Sequence, residues 1–324
     1  MQEVEQLSTL FSYELELLST NIDIQYEDLL GQPITVRLDL PDDQIRYFNG
    51  LVNRFAHTGF DGDLAIYSAT LVLWTWFLTR TADCRIFQEQ KEIFREHGYT
   101  DFDFISWLME QEDIYYYFKH EDGKHTLGPG RRLQCPQPRG RLCADSLLSI
   151  LYYPPNETGL REQDHIHDWS VVRAVRSGTY THTDFDFTAP RKNLRTKLIH
   201  PNAHRYADLE IYDYPGAYQN SSNGEQYTRV RIEAIHAGYE TARGVGNARG
   251  IATGALLTLN GYPREDQNRE YLIVSADYRL QSDAFGSSDS AGTGPVFQCR
   301  FTALDVQPLY RPSQVTPIPQ VKGP

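Results

Sequence analysis

Cysteine is scarce in this chain of 324 residues: four occur, Cys84, Cys135, Cys143 and Cys299, with no Cys-x-x-Cys pair among them. That is too few for a disulfide scaffold, and reduced thiols are expected. Positive charge is short as well. Against 43 acidic residues stand 31 lysines and arginines, a formal net charge of −12, which repels phosphate backbones and anionic lipid surfaces and argues against nucleic-acid and membrane partners. No long hydrophobic run exists. The best, residues 69–78 (ATLVLWTWFL), is interrupted by threonines and falls short of the roughly 20 apolar residues of a membrane helix. The opening MQEVEQLSTL places glutamates where a signal peptide needs lysine or arginine, so export would use a route that reads no cleaved leader.

What is present suffices for a core. Hydrophobic residues make up 40%, and 21 tyrosines with 23 glycines and 17 prolines favour strands joined by turns. Alternation of apolar and polar residues predicts strands over 11–18 and 34–40, with another over 46–55. A long strand covered on both faces is predicted over 65–78. The period then shifts. A helix is predicted over 85–97, capped by Asp83 and stopped by Gly98, and a shorter one over 103–111. Residues 114–127 read as an aromatic hairpin whose Asp122-Gly123 centre suits a type I′ turn. Residues 128–149, rich in arginine and holding two cysteines, have no periodicity and read as an irregular loop. Strand signals return at 169–175 and 180–187. A helix over 225–243 stopped by Gly244 and Gly246, strands over 255–259, 271–280 and 295–304, and a flexible loop over 281–294 follow. The proline-rich tail, 308–324, reads as an extended exit segment. The fold class is therefore mainly β with a few helices.

The search for chemistry finds little. Residues 244–250 (GVGNARG) have the wrong spacing and the wrong preceding element for a dinucleotide loop, and read as a helix stop with a flexible turn. There is no phosphate loop, nucleophile elbow or HExxH motif. His165 and His167 are the best metal candidates, because alternate strand residues share a face, but no third ligand is placed and two solvent-facing histidines are the simpler reading. The other eight histidines look scattered. Cys135 and Cys143 lie among arginines without a histidine nearby and are taken as incidental. Glu110, Glu112 and Asp113 read as a polar helix end, and Tyr115 to Phe118 as core and interface aromatics. No catalytic residue and no cofactor are expected.

Several stretches, in order, resemble the N-terminal part of VgrG, the spike protein family of type VI secretion. They are FSYELELLS (11–19), EDLLGQPITVRL (27–38), RYFNGLVNRF (46–55), LWTWFLTRTADCRIFQEQ (73–90), DFDFISWLMEQEDIYYYFKHEDGKHTL (101–127), residues 224–278 and FQCRFTALDVQPLYRP (297–312). The resemblance implies two barrel-like β domains of phage-baseplate-hub type, the first incomplete. It divides the chain into 1–160 (with a helical insertion, 83–111, and the loop 128–149), 161–307 (with the helix 225–243) and a tail, 308–324. It further implies a homotrimeric, non-catalytic ring that adapts the sixfold Hcp tube to a threefold spike and has room for effector or adaptor proteins. Assembly in the cytoplasm and export by the type VI machinery would follow.

Departures from the family pattern are expected to matter. The family has another strand before the start seen here and a further segment before the DFDF helix, joined directly at Thr100-Asp101 in this chain. Residues 128–149 do not resemble it. It also continues beyond the tail into an oligosaccharide-binding-type barrel and a β-helical needle, so the piercing element is expected to be absent. A hub module is the leading expectation. A truncated or degenerate copy that does not assemble is the alternative, and a metal-binding or enzymatic domain using His165 and His167 the third.

Overall fold

The computed structural model describes residues 1–40, 45–81, 100–130, 147–155, 163–281, 296–307 and 310–317. The helix expected over 85–97, most of the segment 128–149, all but Gln281 of the loop 281–294, most of the tail, and Cys84, Cys135 and Cys143 lie outside these residues. The first half builds strands β1 (Gln2–Gln6), β2 (Ser12–Ser19), β3 (Pro33–Asp39), β4 (Ile45–Asp61) and β5 (Leu64–Val72). Alternation explains them: in β2, Tyr13 and Leu15 are buried while Glu14 and Glu16 face outward. β1 was not anticipated. It alternates too, but with Glu3 and Glu5 inward and Val4 outward, the reverse of the usual sign.

The helix α1 (Asp101–Gln111) starts at a capping box in which Thr100 and Asp103 satisfy each other's backbone N–H groups, worth about 1 kcal/mol. The hairpin β6 (Tyr115–Glu121) and β7 (Lys124–Gly130) follows, then β8 (Leu147–Tyr152), β9 (His165–Arg173), β10 (Thr179–His182), β11 (Thr196–Ile199) and β12 (Glu210–Asp213). The helix α2 (Ser221–Ala237) leads into β13 (Glu240–Gly246), β14 (Leu256–Asn260), β15 (Glu270–Gln281) and β16 (Val296–Asp305). The fold is mostly β, as expected.

Eleven strands make one sheet, β14-β8-β9-β13-β16-β15-β1-β2-β5-β4-β3, in which β14 also pairs with β15. The additional pairing closes β14, β8, β9, β13, β16 and β15 into a six-stranded barrel; the other five strands extend from it. β15 serves both parts. Its C-terminal half pairs with β1, and its first residues pair with β14, with a bulge between Ile273 and Ser275 where the partner changes. A single core runs through both, from Phe11, Tyr13 and Phe48 to Trp169, Tyr271 and Phe301.

Five expectations need correction. The strand expected over 65–78 stops at Val72, and Trp74–Thr79 forms a 3-10 helix; apolar residues on both faces had concealed the change of period. The helix expected over 225–243 begins at Ser221, capped by Asn220, and ends at Ala237. Gly244 and Gly246 are strand residues, not helix stops or a flexible turn: a Cβ on Gly244 would overlap the Phe301 ring, and one on Gly246 the His165 carbonyl oxygen. The hairpin turn is not type I′, since Gly123 has φ 75° but Asp122 has no positive φ. Finally, both ends of the loop expected over 128–149 belong to strands β7 and β8.

Candidate interaction surface and polar sites

β11, β10 and β12 form a separate three-stranded sheet, with β10 parallel to β12 and antiparallel to β11. One face is held to α2: Thr196 shares a hydrogen bond with Thr228 at 2.7 Å, and His182 Nε2 meets the Gly224 carbonyl at 2.9 Å. A neutral His182 with Nε2–H donating fits this contact. On the sheet and its loops, Phe185, Phe187, Ile199, Tyr206, Leu209, Tyr212 and Tyr214 are exposed, Phe187 at 77% and Ile199 at 64%. Such a concentration of large apolar side chains marks an interaction surface.

The histidine pair of β9 adopts the expected geometry. His165 and His167 flank buried Ile166 on the outer side of the strand, with ring centroids 6.0 Å apart. His165 is already engaged, its Nδ1 2.9 Å from the Gln163 carbonyl. Among the described residues no group of three or more histidine, cysteine or acidic side chains is arranged to hold a metal ion.

The histidines that looked scattered gather into clusters. His200 Nδ1 and His236 Nδ1 lie 2.8 Å apart, and His236 Nε2 lies 3.2 Å from the Ser177 carbonyl. They open on a cavity of about 440 Å³ that Tyr239, Glu240, Asp305 and Tyr310 also line. Farther off, His125 receives the Trp74 N–H on Nε2 at 2.9 Å and faces Asn49 Oδ1 through Nδ1 at 2.8 Å. Burial and the neighbouring His120 hold its pKa down to about 4. His120 is lowered as well, by burial, against the pull of Glu5.

His120 belongs to a buried polar group around β1. Tyr13 donates to Glu5 at 3.2 Å, and the His120 ring lies 3.6 Å from the same carboxylate. Arg46 stacks its guanidinium on Phe48 and Tyr278 and donates to the carbonyls of Arg249 and Ile251, tying β4 to the barrel. Neither carboxylate oxygen of Glu3 has a hydrogen-bond partner among the described residues. Burial, and then the Glu5 charge, push its pKa well above the ordinary carboxylate range, which favours the neutral acid over the carboxylate. Burial likewise raises the Cys299 thiol pKa, which makes this cysteine inert packing.

The tail and the end of α1 also differ from expectation. Arg311, buried, pairs with Asp113 and with Glu233 of α2. Glu110, also buried, accepts from the Val315 and Thr316 N–H groups at 3.2 Å and from the Thr316 hydroxyl at 2.8 Å. Tyr310 packs edge-on against Tyr115, with centroids 5.4 Å apart. Residues 310–317 are thus clasped, and Glu110 and Asp113 are the clasp rather than a mere polar helix end. A short motif could not reveal this, because the partners lie some two hundred positions away in the chain.

The closed barrel carrying an extended antiparallel sheet is the architecture on which comparison with known proteins turns. A family model described as phage tail baseplate hub (GPD) matches residues 4–94 and 92–284. The chain belongs to this family. Over 352 aligned positions the hub chain is 41% identical to the type VI secretion system spike proteins VgrG1b and VgrG1a of Pseudomonas aeruginosa, covering all of itself and 47% and 54% of theirs. It therefore spans about half the length of these relatives. The aligned span also exceeds the length of the hub chain, so the relatives carry residues within it that are missing here. Among solved structures, the hub chain is similar to the E. coli c3393 protein, a component of the type VI secretion system with structural similarity to the T4 bacteriophage tail proteins gp27 and gp5. The TM-score is 0.61 at 16% identity, over 96% of this chain and 75% of that one. A tail protein of Neisseria meningitidis gives a TM-score of 0.57 at 11% identity, over 94% and 91%. A chain of the Francisella PdpA-VgrG complex also gives 0.57, at 9% identity, over 96% and 49%. These likenesses concern the fold.

Proposed function

We propose that this chain is a structural hub of a type VI secretion spike. Three copies form a ring that adapts the Hcp tube to the spike, and the chain itself catalyses nothing. The observation that carries this reading is the set of large apolar side chains exposed on the small sheet and its loops in a chain whose full length aligns with VgrG spike proteins. Large aromatic side chains anchor protein interfaces when buried, and an isolated subunit of a ring must leave them open. The same reading divides the chain into hub-like units at 1–160 and 161–307; five of the six barrel strands fall in the second, and β8 (Leu147–Tyr152) joins them from the first. It also assigns assembly to the cytoplasm and export to the type VI secretion machinery. No helix among the described residues is long and apolar enough to cross a membrane.

Light scattering coupled to size-exclusion chromatography tests the proposal. The expected mass is three times that of the 37.3 kDa chain, and association should strengthen with salt, because like charges of −12 per chain repel less when screened. Tyr212→Glu on the exposed face should give monomers without unfolding them, and immobilised Hcp should retain the unmodified chain. A monomer at every salt concentration would defeat the proposal. It would favour the second reading, a copy that no longer assembles, which the residues missing from the aligned span support. Metal analysis before and after His165→Ala decides the third, in which His165 and His167 bind a metal.

A further inference from the structure

α2 is the element on which the chain's layers meet. It covers the small sheet, contacts Glu112 beyond α1 through Tyr227, and holds the tail through Glu233 and Arg311. Each of its ends is held by a histidine, and the two contacts differ in chemistry. At the N-terminal end, His182 meets a carbonyl oxygen through Nε2, a bond that a protonated ring can still donate. At the C-terminal end, His200 and His236 face each other Nδ1 to Nδ1 at 2.8 Å, with His236 Nε2 directed at the Ser177 carbonyl. If Nε2 carries the proton of neutral His236, its Nδ1 is the acceptor and His200 the donor. Two protonated rings have no acceptor between them and repel each other.

We propose that the His200–His236 pair is a proton-operated latch, which on acidification releases the C-terminal end of α2 from β11 and loosens the tail seated beside it. The coupling is spatial: Tyr310 lines the same cavity as both histidines, and Glu233, the partner of the adjoining Arg311, lies one helical turn before His236. The surroundings offer little to stabilise a doubly protonated pair. On α2 itself, Glu233 is occupied by Arg311. From the loop after β11 comes His204, stacked on Tyr239, and from the segment after β9 comes Arg176, bonded to the Gly238 carbonyl. From β13 and β16 come Glu240 and Asp305, both taken by Arg269. Burial, and then His200 and His204, lower the pKa of His236 against the pull of the Ser177 carbonyl. The fold therefore favours the closed, neutral latch above the ordinary histidine pKa.

Hydrogen exchange of the full chain, corrected for the intrinsic pH dependence of the rates, tests the latch. Between about pH 7.5 and about pH 5.5, the range in which histidines change charge, protection at residues 230–240 and 310–317 should fall roughly tenfold or more if opening takes up at least one proton. Protection in the barrel strands should change far less. In His236→Gln, and separately in His200→Gln, neither partner pair can become doubly charged, and the local loss should flatten. Unchanged protection in the unmodified chain would overturn the latch. So would the same local loss in whichever of the two variants folds.

Discussion

The Arg311 guanidinium lies against the Asp113 carboxylate, joining the tail to the residue that turns the chain out of α1. Asp113 takes up φ 59° to do so, a left-handed conformation that aspartate tolerates better than most residues. The pair is buried, and Glu233 completes it from α2. Removing one partner leaves an uncompensated charge, so Arg311→Ala should lower stability by about 3–5 kcal/mol, whereas replacing all three residues by apolar ones of similar size should cost much less. Urea denaturation of the two variants checks the contrast.

Glu3 should make the fold weaker at higher pH. Its pKa is raised in the native state, so between the ordinary carboxylate pKa and the raised one the folded chain binds more protons than the unfolded chain. Stability then falls as pH rises through that window. Glu3→Gln keeps the shape and removes the charge. It should melt higher than the unmodified chain at about pH 8, with the difference shrinking toward about pH 5; equal melting temperatures at both values would contradict the assignment.

His125 acts with the opposite sign. Its pKa is held at about 4 in the folded chain, below the ordinary value of about 6.5. Over that interval the unfolded chain binds the extra proton, and stability is lost as pH falls. His125→Gln should be less stable at neutral pH, having lost the Trp74 and Asn49 contacts, yet decline less on acidification. Urea midpoints measured at several pH values between these two pKa values would display the change in slope.

Gly178 precedes β10 where another stretch of backbone passes close by. A Cβ there would overlap the Ala207 carbonyl oxygen and lie 2.8 Å from Pro201 Cα. Gly178 also accepts the His200 N–H at 2.7 Å. Gly178→Ala should therefore cost about 1–3 kcal/mol or more, because the opposing atoms are backbone and cannot rotate away. Thermal melting measures the cost, and exchange at β10 and β11 should show where it falls.

Strands such as β2 and β3 were legible because one face meets apolar core and the other meets solvent, so composition alternates with the backbone. Where the buried side is polar, as for Glu3 and Glu5, the alternation persists but its sign is lost, and β1 went unread. The β5 boundary failed for a related reason: Leu71, Val72 and Leu73 are all buried, which leaves no period to read. In β13, glycines that serve the close approach of Phe301 and of the β9 backbone look the same in sequence as glycines that stop a helix. The His165 and His167 pair was visible because its members are two residues apart. His200 with His236, and Arg311 with Asp113, are brought together by tertiary folding alone, and no local pattern announces them.

β15 carries a mechanical consequence. At Ile273 its backbone N–H and C=O are taken by Ala255 and Gly254 on the barrel side, and one residue later the Val274 carbonyl receives Leu7 from the extension. At this junction no slack connector separates the two parts: a load on the extension enters the barrel along one continuous strand, in tension and in shear. The joint has the stiffness of a girder shared by two frames. Among the described residues, compliance is expected in the layers laid over that girder, with α2 and the small sheet foremost, because the small sheet shares no ladder with it.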